Sequence, residues 1–94
     1  MLTQRLSCTA ANEHVQRILK EGAVSYSEPI RNRIEHAHLT MLDVENVLRC
    51  GRVHREAELE TGFFRYQVET DRMCIVVAFR SPTEMRLVDG WRKP

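Results

Sequence analysis

The residues of this chain best suited to chemistry are the arginines between positions 52 and 92. Arg65, Arg80, Arg86 and Arg92 recur along and at the ends of three apolar segments, Gly62 to Val68, Met73 to Arg80 and Met85 to Arg92. A guanidinium is planar and always charged, and its forked N–H groups meet phosphate or carboxylate oxygens two at a time. A sheet that keeps such groups on its open face suits an anionic partner. The alternative reading of the same residues is a set of solvated strand edges, where charge discourages unwanted pairing.

Overall charge does not separate these readings, because the formal net charge is only +1. Its distribution is more informative. Residues 1–50 carry six basic and six acidic side chains, and residues 51–94 carry eight and seven. All but one of those eight basic residues are arginine.

Ninety-four residues make one domain, 1–94, and a chain of this size buries only about 60–65% of the surface its unfolded form exposes. A content of 43% hydrophobic and 29% charged residues is too apolar for intrinsic disorder. No apolar run approaches the ~18 residues of a membrane span, and the N-terminus lacks a basic start followed by an apolar stretch. The expectation is a cytoplasmic protein with no membrane partner. Three cysteines, Cys8, Cys50 and Cys74, without CxxC spacing argue against a disulfide scaffold or structural zinc. Cys74 reads as a small core residue. His36 and His38 are the only close histidines, and residues two apart point to different sides of a helix. No metal or other cofactor is expected.

Three helices and then strands must position these residues. Thr9 is placed to cap a first helix with Ala11, Val15, Ile18 and Leu19 on one face, closed by Gly22. Ser27, with Pro29 in the first turn, opens a second helix carrying Ile30, Ile34 and Ala37 on one stripe. Thr40 and Asp43 form a near capping box ahead of Val44, Val47 and Leu48, and Gly51 ends that third helix.

Beyond Gly51 the periodicity becomes strand-like. Arg52 to Glu58 reads as a charged edge strand. Phe64, Tyr66 and Val68 alternate with Phe63, Arg65 and Gln67, giving one buried and one more open face. Met73 to Phe79 is apolar on both faces and reads as a central strand covered on both sides. Glu69 to Arg72 and Ser81 to Thr83 are turns. The predicted fold class is α+β, with helices packed on one face of an antiparallel sheet of about four strands.

Several of these segments together resemble a bacterial family. They are Ser25-Tyr26-Ser27 leading into Arg33-Ile34, Leu39-Thr40, Asp43 to Gly51, Phe64-Arg65-Tyr66, and Met73 to Arg80. The family consists of small domains of unknown function often encoded beside YgiT-type zinc-finger antitoxins, similar in layout to MqsR, a messenger-RNA interferase of the RelE superfamily. The resemblance spans about Val15 to Lys93.

It implies a RelE/MqsR-like fold and a toxin that cuts messenger RNA without metal until a cognate antitoxin silences it. Cleavage through the 2′-hydroxyl needs a proton acceptor, a donor to the leaving oxygen, and cations against the charge on phosphorus. The resemblance assigns these tasks to Arg65, Tyr66 and Arg80, with His54 as a further proton-transfer group. Arg33, His36, Arg52, Arg86 and Arg92 are the candidates for contact with RNA or a protein partner.

The chain also departs from that family. A His-Ala pair opening the second helix is here Pro29-Ile30, an expected arginine is Ala37, and a threonine near the C-terminus is Asp89. These changes remove a candidate base and a candidate phosphate ligand and add a carboxylate; His36 or His38 could stand in for the lost histidine. They raise an alternative, a catalytically lapsed scaffold that inhibits a bacterial protein by binding it, as a phage or mobile-element inhibitor or an immunity protein would. A third reading is a homodimer paired along the Arg52 to Glu58 edge.

Overall fold

The computed structural model describes residues 4–94. Helix α1 is Cys8–Glu21, and its cap is Ser7, whose hydroxyl accepts the Ala10 N–H at 3.1 Å. The expected cap, Thr9, lies inside the first turn. Ser7 takes the role because its own backbone is extended, as a cap requires. The Gly22 N–H closes the helix on the Ile18 carbonyl at 2.8 Å.

The next helix, α2 (Glu28–His36), opens on Ser27 with Pro29 in its first turn, and α3 (Met41–Cys50) opens on Thr40. The capping box is reciprocal: Asp43 N–H donates to Thr40 Oγ1 at 3.0 Å, and Thr40 N–H donates to Asp43 Oδ2 at 2.9 Å. The Thr40 N–H holds the Asp43 carboxyl below its ordinary pKa. Between α2 and α3 the chain reverses through His38, whose φ of 62° is left-handed.

The strands are β1 (Ala23–Ser25), β2 (Arg52–Val53), β3 (Glu58–Glu60), β4 (Phe63–Glu69), β5 (Met73–Ser81) and β6 (Glu84–Arg92). They form one mixed six-stranded sheet in the order β1-β6-β5-β4-β2, with β3 also pairing β4. The expectation of about four antiparallel strands is therefore corrected in two places. Ala23–Ser25 adds a parallel strand on β6, with Val24 opposite Met85. The expected edge strand from Arg52 to Glu58 is two short pieces separated by residues 54–57, both paired to β4. The second piece is set by a hairpin turn at Thr61-Gly62, where φ is 49° and 87°.

The helices supply one side of the core, and Ile30 of α2 also reaches the rim of the opposite sheet face. Ile18, Ile34, Val47 and Leu48 from the helices meet Val68, Ile75, Val77 and Met85 in one continuous core. Burying each large aliphatic side chain contributes roughly 1.5–3 kcal/mol. His14 of α1 sits edge-on to Phe79 with ring centres 4.8 Å apart. Burial, aided by Arg17, lowers its pKa and favours the neutral ring.

The expected two-sided cover of β5 holds for burial but not for its source. Ile75, Val77 and Phe79 lie under the helices. Cys74 and Val76 point to the other face and are 1% and 6% exposed. What shields them are side chains of the flanking strands, for Gln67 and Asp89 pair with Val76 and Trp91 pairs with Cys74.

Candidate functional site

The face of the sheet opposite the helical core presents two adjoining concavities. Strand alternation places Phe63, Arg65 and Gln67 on this face, and Arg86 joins them because it pairs with Ala78 across β5 and β6. Two irregularities in the β5–β6 ladder complete the site. Phe79 pairs with Met85 and Ser81 with Glu84, leaving Arg80 outside the register; Val76 pairs with Asp89 and Val77 with Leu87, leaving Val88 outside it. Such bulges re-aim side chains. Both odd residues, Arg80 and Val88, line the larger concavity.

That concavity measures about 360 Å³. Arg65, Arg80 and Arg86 supply its charge, and Phe63, Val88 and Ile30 of α2 are among its apolar walls. The smaller concavity, about 180 Å³, is lined by Glu58, Glu60 and Asp89 together with Gln67, Val76 and Trp91. Arg65 belongs to both. One half of the face is therefore cationic and the other anionic, with a single arginine on the boundary.

Local ion pairs hold the arginines at unequal strength. Arg65 Nη1 lies 3.2 Å from Glu60, and Arg80 Nη1 lies 3.7 Å from Glu84, which also accepts the Ser25 hydroxyl at 3.0 Å. Arg86 makes no ion pair among the described residues. It is the cation most available to a ligand. Phe63 is 41% exposed, so an aromatic surface stands beside the three charges.

The remaining residues expected at a site are dispersed. Tyr66 points to the opposite, helix-covered face: it is 2% exposed, packs 4.9 Å from the Phe79 ring, and its hydroxyl accepts the Leu6 N–H at 2.9 Å. His54 is exposed between β2 and β3 and lines neither concavity. Arg33 lies 3.8 Å from Asp89, so the carboxylate that departs from the family pattern has a cation beside it. Arg92 donates twice to the His38 carbonyl, at 3.1 and 2.9 Å, and lies 3.6 Å from Asp43. It fastens β6 to the α2–α3 junction. His36 Nδ1 is 2.8 Å from the Asn32 carbonyl, and Arg52 is exposed in β2 opposite Glu69.

Sequence reasoning missed Phe63 and Ile30 as part of the site and took Glu69 for a turn residue. The period-two alternation that placed Arg65 on the open face also carries Phe63 there. Glu69 ends β4, is 5% exposed, and binds Lys93 at 2.8 Å and Arg55 at 3.0 Å. The Lys93 hydrogen bond, with help from Arg55, holds its carboxyl below the ordinary glutamate pKa. Burial, reinforced by the Glu69 charge, pushes the Cys74 thiol up to about 11, so it is protonated near neutral pH.

Chemically, the cationic half can bind and orient an anionic group, and its three guanidiniums can oppose negative charge developing on phosphorus. Among the described residues, no three His, Cys, Asp or Glu side chains come together to hold a metal ion. No helix among them is long and apolar enough to cross a membrane. Compared with family models, curated proteins and solved structures, the chain matches none.

Proposed function

We propose that this chain is a RelE/MqsR-like, toxin-type protein that engages messenger RNA on its open sheet face and acts as a metal-independent endoribonuclease restrained by a cognate antitoxin. The observation that supports the reading is the convergence of Arg65, Arg80 and Arg86 on one concavity beside an exposed phenylalanine. Guanidiniums bind phosphate in pairs of hydrogen bonds, and an aromatic ring offers a surface for an unstacked base. Induced expression in bacteria, followed by growth and transcript mapping, tests it. Growth arrest with cut transcripts, relieved by Arg80→Ala, is the expected result. Normal growth with intact transcripts at high expression removes the activity.

A second reading is a non-enzymatic inhibitor that binds a bacterial protein on the same face. It is favoured by the positions of Tyr66 and His54, which leave the arginines without either of the proton-transfer groups the family resemblance assigns. Pro29→His with Ala37→Arg tests it: cleavage appearing only in the double variant marks a lapsed nuclease. Stoichiometric recovery of one host protein with the unaltered chain supports the inhibitor directly.

A further inference from the structure

We infer that the cationic concavity takes a single nucleotide-sized unit of single-stranded RNA, and that Glu58 and Asp89 form an electrostatic border that stops the strand from continuing across the sheet. The inference rests on the RNA reading above and deepens it by giving that site a footprint and a border.

The argument begins with size and charge. A space of about 360 Å³ suits one nucleotide rather than an extended strand. Its charged groups are Arg65, Arg80 and Arg86, and its aromatic wall is Phe63, so a phosphate and a base can be held together. Grooves that bind long single strands instead track the phosphates with continuous positive charge. Here the positive charge ends at Arg65.

On the far side of Arg65 stand Glu58, Glu60 and Asp89. Glu60 is compensated by Arg65 at 3.2 Å, and Asp89 only loosely by Arg33 at 3.8 Å. Glu58 makes no ion pair among the described residues. A strand crossing this half would bring its next phosphates against carboxylates, and like charges at close range repel. On the Arg65 side the strand must therefore end at the concavity or leave the sheet there. Glu58 faces Arg65 directly across the β3–β4 ladder, so the border is built into the sheet.

Binding of adenosine 5′-monophosphate and of a mixed-sequence decamer oligoribonucleotide to the full chain tests this, using Glu58→Gln/Asp89→Asn to neutralise the border while leaving the Glu60–Arg65 pair in place. The unaltered chain should bind the two probes within about threefold. The decamer's log–log salt slope should be about −0.7 to −1.4, the value for one or two phosphates on a single strand. The double variant should bind the decamer at least about tenfold tighter with a steeper slope, and the monophosphate with unchanged affinity.

A decamer that binds the unaltered chain more than tenfold tighter than the monophosphate overturns the inference while leaving the RNA reading intact. Equal tightening of both probes in the variant also overturns it, because that reports more positive charge in the concavity and no border. Failure of the unaltered chain to bind either probe sinks the RNA reading and the footprint together.

Discussion

Arg65 and Tyr66 are neighbours in β4 and emerge from opposite faces of the sheet. Arg65 stands between the two open concavities, and the Tyr66 hydroxyl is sealed in the core on the Leu6 N–H at 2.9 Å. Side chains one residue apart on a strand cannot share a site on one face. This separates their contributions and makes each measurable.

Tyr66→Phe should leave ligand binding by the sheet face unchanged. It strands a backbone N–H, so it should lower unfolding free energy by about 1–2 kcal/mol. Urea titration of the variant beside a binding isotherm reads both. Lost binding with full stability would place the hydroxyl in the site.

Arg86→Ala should behave in the opposite way. Its guanidinium has no ion pair to lose among the described residues, so stability should stay within about 0.5 kcal/mol. Loss of a charge-assisted contact should weaken binding of a short oligoribonucleotide by about tenfold or more. Arg80→Ala should weaken it too, with a small added effect on the β5–β6 turn because Glu84 loses its partner. Unchanged binding in both variants would move the ligand away from this face.

Stability should fall in acid through Glu69. Its folded-state pKa is lowered, chiefly by the Lys93 hydrogen bond, so its stabilisation is fully present above the ordinary glutamate value. That stabilisation is lost as pH falls through the depressed folded-state value. Because Arg55 is largely exposed, Glu69→Gln should cost only about 1–2 kcal/mol at neutral pH. The variant should also show a flatter acid limb in chemical denaturation measured between about pH 6 and 3. Parallel acid limbs in the two proteins would assign the acid sensitivity elsewhere.

Thiol labelling should rank the cysteines. Cys50 is exposed and should react with iodoacetamide at pH 8 in the folded protein. Cys74, buried and with its pKa pushed up to about 11, should react only after unfolding. Peptide mass spectrometry of native and urea-treated samples distinguishes them. Labelling of Cys74 at the rate of Cys50 would mean that β5 opens easily.

Much of this fold was legible because local chemistry dictated it. Ser27, Thr40, Gly22 and Gly51 sit where helix ends need them, and alternation in β4 assigned its two faces. What escaped were contacts made across long stretches of chain. Ala23–Ser25 is too short to show a period, and it becomes a strand only because β6 offers it a parallel edge. The break at residues 54–57 follows from pairing with β4 on either side.

The site was legible in its arginines but not in their grouping. Alternation along β5 carries Arg80 to the face of Cys74, Val76 and Ala78, but its place beside Arg65 and Arg86 depends on strand order and register, which no residue type announces. Tyr66 shows the reverse case. Its alternation with Arg65 already placed it on the buried face, and the family pattern grouped the two because it is linear.

The short parallel strand β1 also bears on the cost of assembly. Strands β4, β5 and β6 meet through tight turns and can zip locally, whereas β1 reaches β6 only after α2, α3 and the meander have been traversed. Closing so long a loop costs more chain entropy than closing the turns of the meander. The junction is also tight, since a Cβ at position 22 would lie 2.2 Å from the Thr83 carbonyl oxygen, where the Ala23 N–H already donates at 2.9 Å. The β1–β6 pairing thus joins the most distant stretches of chain in the sheet, and Gly22 is the residue whose missing Cβ allows the approach to Thr83 there.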